Sequence, residues 1–147
     1  MTPAGAQAAP GGNKQPVEFS DTFVVQDLCE FPVTIDAHAT GFRVEVDTGK
    51  GANVRLHLNE TDVYSANGVS LEGNYTFGIK LNFDQDGNIV RAVQTGIIVR
   101  VPLPNGDTFI VAGRADAIEQ DTDFIIAPTN GVTRNLDGFC AALSGEG

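Results

Sequence analysis

Tryptophan is absent from this chain, methionine occurs once, and basic side chains are scarce: nine Lys and Arg stand against nineteen Asp and Glu, a formal net charge of −10. The few cations are scattered singly. No basic stripe exists to neutralise phosphates in series, which argues against nucleic acid and against anionic membrane surfaces as partners. Long apolar runs are missing too. None approaches the ~18 residues that cross a bilayer, so no membrane span is expected. Ser20, Ser65, Ser70 and Ser144 sit in no Gly-x-Ser-x-Gly elbow, and neither cysteine neighbours a histidine in sequence. With no phosphate loop and no dinucleotide fingerprint either, no cofactor is expected. Nineteen acids keep a two-carboxylate hydrolase open, but no pair stands out from a solvated acidic surface.

What is present is core material for one ordinary domain. A hydrophobic fraction of 41 % with nine Phe in 147 residues is enough to pack an interior. Residues 1–16, rich in Ala, Gly, Pro and Gln, cannot bury enough apolar area to offset their ordering entropy and read as a flexible tail. Met1 leads into Thr2-Pro3-Ala4-Gly5-Ala6 with neither a charged nor an apolar signal region, like the small-residue start of a mature exported protein behind an added Met. The expected location is secreted or cell envelope. Cys29 and Cys140 lie near the two ends of the remaining chain. They are either two buried thiols or, as the export-like start favours, a bridge closing a loop of more than about 100 residues, worth on the order of 4 to 5 kcal/mol.

From Val17 to Leu143 the punctuation is that of a meander. Asn67-Gly68, Asp86-Gly87, Asn105-Gly106, Asn130-Gly131 and Asp137-Gly138 separate apolar alternations, and no stretch sustains a 3.6-residue period. The clearest strand is Val69 to Phe83, with Val69, Leu71, Tyr75, Phe77, Ile79, Leu81 and Phe83 on one face. Pairing about Asn67-Gly68 sets Leu58, Leu56 and Val54 opposite Phe77, Ile79 and Leu81. Pairing about Thr48 to Ala52 sets Phe42, Val44 and Val46 opposite Leu58, Leu56 and Val54, leaving Arg43, Glu45, Arg55 and His57 on the other face. A parity change across Gly41 then reads as a bulge or sharp bend. About eight strands are expected, which suggests an all-β fold: an antiparallel up-and-down β-barrel over 17–143, or a two-sheet β-sandwich, with a short tail at 144–147. Strands near 89–101 and 108–118 are apolar on both faces, which calls for a covering segment or a homo-oligomer contact there.

Candidate sites follow from the same register. Pairing across Asp84 to Asn88 brings either Arg91 and Thr95, or Gln94 and Arg100, onto the face of Phe77 and Ile79; in the first case Arg114 and Asp116 join the same side. Charges on an apolar face imply a wet cavity or an anionic or carbonyl ligand, unless the sheet twists them to a solvated rim. The expected ligand site is therefore Tyr75, Phe77, Ile79, Arg91, Thr95, Arg114 and Asp116, around a small apolar or amphipathic molecule. Asp36, His38 and His57 are weighed as metal ligands and read instead as polar-face residues, so no metal is expected. Asp84 to Asn88 resembles the start of a calcium loop but has Gly out of place and Thr95 at the twelfth position, so it reads as a turn. The sequons at Asn59 and Asn74 carry little weight.

Cys29-Glu30-Phe31-Pro32-Val33, Gly113-Arg114 and Phe139-Cys140-Ala141-Ala142-Leu143 resemble a group of small exported actinobacterial proteins of uncharacterised function. The resemblance covers roughly residues 20 to 143, implies export and a terminal Cys pairing, and supplies no activity. In size and strand pattern alone the chain is similar to lipocalins and to allene oxide cyclase and dirigent barrels. Three functions are therefore carried forward: a secreted barrel holding a small, largely apolar ligand; a cofactor-free isomerase or cyclase using Arg114 with Asp116 or Tyr75; and a structural or adhesive oligomeric module.

Overall fold

The computed structural model describes residues 13–116 and 130–145. Among these residues seven strands follow one another: β1 (Asn13–Val25), β2 (Val33–Asp47), β3 (Ala52–Ala66), β4 (Val69–Phe83), β5 (Ile89–Pro102), β6 (Thr108–Asp116) and β7 (Asn130–Arg134), before a helix, α1 (Leu136–Leu143). Each strand pairs antiparallel with the next, giving one sheet in the order β1-β2-β3-β4-β5-β6-β7. The fold is thus all-β with sequential hairpins, as the alternation predicts. The expected closed barrel is not what the described residues form, because β1 and β7 remain edges of an open sheet. The described strands form one sheet, not the two of a sandwich. Residues 13–16 belong to β1 and pair with Glu45, Val44, Arg43 and Phe42, whereas residues 1–12 of the expected tail, 117–118 of the expected strand and 146–147 lie outside the described residues.

Turn chemistry accounts for the hairpins. Asn67 and Gly68 adopt φ of 54° and 78°, the left-handed pair a two-residue hairpin demands. Asp84 closes the next turn by accepting the N–H groups of Asp86 and Asn88 at 2.9 Å each. Those bonds, from Asn88 first, hold its carboxyl below the usual range. Two expected turns prove otherwise. Asn130-Gly131 opens β7, and Asp137-Gly138 lies inside α1. Leu136, Phe139, Cys140 and Leu143 do follow helical spacing, but two turns are too short for a sustained period to register.

The β3–β4 register is the expected one, with Leu58, Leu56 and Val54 opposite Phe77, Ile79 and Leu81. The β2–β3 register is not. Gly41 pairs with Leu58 and Phe42 with His57, and the ladder runs through without a bulge. A Cβ on Gly41 would sit 1.8 Å from the His57 carbonyl oxygen, so only glycine permits this backbone approach. The parity change therefore marks a change of face. Before Gly41 the apolar residues Val33, Ile35 and Ala39 are buried on the core face; after it, Phe42, Val44 and Val46 lie on the opposite face, while the Arg43–Glu45 ion pair (2.6 Å) takes the core-face positions.

The main core sits at one end of the sheet. Val33, Ile35, Tyr64, Val99, Val101, Phe109 and Val111 are buried there beneath α1. Phe139 of α1 meets Tyr64 edge-on at 5.3 Å and Phe109 at 4.5 Å between ring centroids. A disulfide between Cys29 and Cys140, with Cα atoms 5.6 Å apart, ties α1 to the loop after β1. Further along the same face Leu58, Tyr75 and Phe77 form a smaller buried cluster.

Candidate functional site

Two cross-strand rows on the face turned away from the core build a polar–apolar cavity. One row runs Lys14 on β1, Val44 on β2, Arg55 on β3, Lys80 on β4 and Val93 on β5, each the direct partner of the next. The neighbouring row runs Phe42, His57, Gly78, Thr95 and Arg114, from β2 to β6. With Arg91, Leu56 and Ile79 these residues line a trough of about 580 Å³. On a flat sheet Lys14 and Arg114 would stand about 24 Å apart at the usual strand spacing. That both line one cavity means that this end of the sheet curls toward the second face.

The electrostatics of the trough are opposite in sign to those of the chain. Lys14, Arg55, Lys80, Arg91 and Arg114 are five of the nine Lys and Arg, and no Asp or Glu is among the described residues of the lining. None of the five is in an ion pair among the described residues; Lys14 instead places its ammonium 4.2 Å from the centroid of the Phe42 ring. Arg55 and Lys80 are direct partners across β3 and β4. Like charges at that position destabilise a ladder unless an anion lies between them.

A second constellation lies on the core face, where Glu60, Asp62 and Tyr64 alternate along β3 and Tyr75 stands opposite Glu60 on β4. The Tyr64 hydroxyl donates to Asp62 Oδ2 at 2.9 Å. The Tyr75 hydroxyl lies 2.8 Å from Glu60 Oε2 and also hydrogen-bonds Asp62 Oδ2. With one hydroxyl proton between two carboxyls, a proton held by one of them adds the second donor the group needs. Burial, reinforced by the hydrogen bond and charge of Asp62, pushes Glu60 up to about 8, which assigns that proton to Glu60 at neutral pH. Burial likewise drives both tyrosines above their ordinary value, keeping them as donors. Asp62 is 1 % exposed, and its Oδ1 has no hydrogen-bond partner among the described residues.

The seven residues read from sequence are divided between the faces. Arg91, Thr95 and Arg114 come together in the trough, and Ile79 also contributes to its lining. Tyr75 and Phe77 are buried on the core face with Leu58. Asp116 ends β6 opposite Val93, half-buried. The expected intrusion of an Arg onto the Phe77 face does not occur. Gln94 and Ala92 take the positions opposite Ile79 and Leu81, and a register shift between Ile97 and Val99 turns Arg100 to solvent while Val99 and Val101 enter the core. Lys14, Arg55, His57 and Lys80 were absent from the expected site. Arg55 and His57 share one face of β3, but only cross-strand register unites them with Lys14 and Lys80.

His38 stands apart from His57, accepting or donating through Nδ1 to Ser20 Oγ at 2.8 Å with Glu18 3.3 Å from Nε2. Serine, histidine and carboxylate are thus in sequence, but all three are exposed, without the enclosure that desolvates a nucleophile. No group of three or more His, Cys, Asp or Glu among the described residues is placed to hold a metal ion. No family model, curated protein or solved structure matches this chain.

Proposed function

We propose that this chain is an exported ligand-binding domain that holds a small amphipathic anion in the cationic trough. The observation that carries the reading is the collection of five of nine Lys and Arg, free of acidic neighbours among the described lining residues, around one cavity in a chain of net charge −10. A volume of about 580 Å³ suits a small organic molecule. Phe42, Val44 and Val93 supply apolar contact, while the cations orient and compensate the charged end. The Cys29–Cys140 disulfide supports an oxidising, extracytoplasmic setting. Closure into a barrel is not needed, because the trough opens on the face away from the core. Of the two pairings an isomerase or cyclase would use, Tyr75 with Arg114 is disfavoured because the two lie on opposite faces of the sheet, whereas Arg114 and Asp116 share a face of β6.

Isothermal titration with decanoate and with neutral 1-decanol tests the reading. Decanoate is expected to bind and to weaken as salt rises, the alcohol to bind far less. The double substitution Arg55→Gln with Lys80→Gln is expected to lower decanoate affinity at least about 10-fold. Equal binding of the alcohol, or undiminished binding by the double variant, would overturn it.

A further inference from the structure

The nature of the anion follows from four side chains around one glycine, and this step rests on the reading just given. Arg55 and Lys80 face each other across β3 and β4; one position further along, His57 and Thr95 are the two direct cross-strand partners of Gly78. A Cβ built on Gly78 would meet nothing closer than 3.7 Å, the nearest atoms being the Leu56 carbonyl oxygen and Thr95 Oγ1. The floor between the donors is therefore open. A guanidinium fork, an ammonium, an imidazole and a hydroxyl border it, carried at neighbouring register positions of β3, β4 and β5. A carboxylate has two oxygens and a single charge, so it leaves one of the two facing cations uncompensated. A phosphate monoester has three terminal oxygens and, above its second pKa of about 6, close to two charges. Its three oxygens, each with more than one acceptor site, can serve all four donor groups, and its charge matches the paired cations.

We propose that the trough binds a phosphate monoester with an apolar body: the phosphate sits over Gly78 among Arg55, Lys80, His57 and Thr95, and the body runs along Phe42 and Val44. Such a group occurs on free metabolite esters and on the headgroup of phosphatidic acid, and the chemistry of recognition is shared.

The test is titration of the full chain with decyl phosphate, decanoate and inorganic phosphate at about pH 7.5, where the monoester is largely dianionic. Decyl phosphate is expected to bind at least about 10-fold more tightly than decanoate, with inorganic phosphate weaker than the ester for want of apolar contact. In Lys80→Gln the preference for phosphate over carboxylate is expected to shrink to within about 3-fold. Gly78→Val keeps every cation and fills the open floor; it is expected to lose at least about 10-fold for decyl phosphate, with an unchanged unfolding midpoint certifying the fold. Co-sedimentation with vesicles containing phosphatidic acid, and not with pure phosphatidylcholine, supports the same seat and identifies lipid as the source; binding of the soluble ester alone supports it and identifies a free ester. Equal affinity for decyl phosphate and decanoate overturns the phosphate assignment while leaving the anion reading in place. Failure of both to bind overturns the two together.

Discussion

Glu60 illustrates how one buried carboxyl couples protonation to the fold. Its ordinary value of 4.5 is raised to about 8 in the folded chain, first by burial and then by Asp62. The folded state thus keeps a proton that the unfolded chain gives up. Between pH 4.5 and about 8 the unfolded form gains by releasing it, so stability is fully present below the lower value and falls as pH rises toward the upper one. Because Glu60 is only half-buried, the drop is held to about 2 kcal/mol, well under the unscreened value. Urea denaturation at a series of pH values is expected to show this slope in the parent and a flattened one in Glu60→Gln. An identical slope in the variant would place the dependence elsewhere. Nothing in the sequence singled out this pair. Glu60 and Asp62 are two acids among nineteen, and their burial depends on Tyr75 arriving from the next strand.

Strand β4 carries two glycines whose roles are opposite, although both replace a side chain at an alternating position. Gly73 lies on the core face beneath β5: a Cβ there would come within 2.6 Å of the Arg100 carbonyl oxygen and 3.0 Å of Val101 Cγ2. Gly73→Ala is expected to lower stability by about 2 kcal/mol in chemical denaturation, since backbone has to move to admit the methyl. Gly78→Ala, with nothing closer than 3.7 Å, is expected to change stability by less than about 0.5 kcal/mol. The crossing over Gly73 depends on the register shift between Ile97 and Val99. That shift was the feature the alternation could not reveal, because Ile97, Ile98 and Val99 are all apolar and a slip by one residue leaves the hydrophobic pattern intact. In β4 itself, where polar and apolar residues alternate strictly, both the boundaries and the register with β3 were legible.

The core under α1 and the trough occupy opposite ends and opposite faces of the same sheet, so changes at one should spare the other. Cys140→Ser removes a link that spans 111 residues and frees α1, whose Phe139 and Leu143 are fully buried. A loss of about 3 to 5 kcal/mol is expected, read as a lower thermal midpoint that reductant no longer shifts. Affinity of the trough, measured below that midpoint, is expected to stay within about 2-fold of the parent. A parallel loss of affinity would show that the curl of the trough end depends on α1.

Strand alternation and Asn-Gly and Asp-Gly turns were sufficient for the all-β class and the succession of hairpins, because both are local properties of the backbone and its side chains. Arg91, Thr95 and Arg114 were grouped in one of the two registers the sequence left open, because they lie on two strands joined by one turn, but the face assigned to them, that of Phe77, was the wrong one. The trough as a charged site was not. Lys14, Arg55 and Lys80 belong to three different strands, and their union requires a register that passes unbroken through Gly41 and a sheet that curls toward the face opposite its core. Alternation states which residues of a strand share a face. It does not state which way the sheet bends, because that depends on packing between residues far apart in the chain.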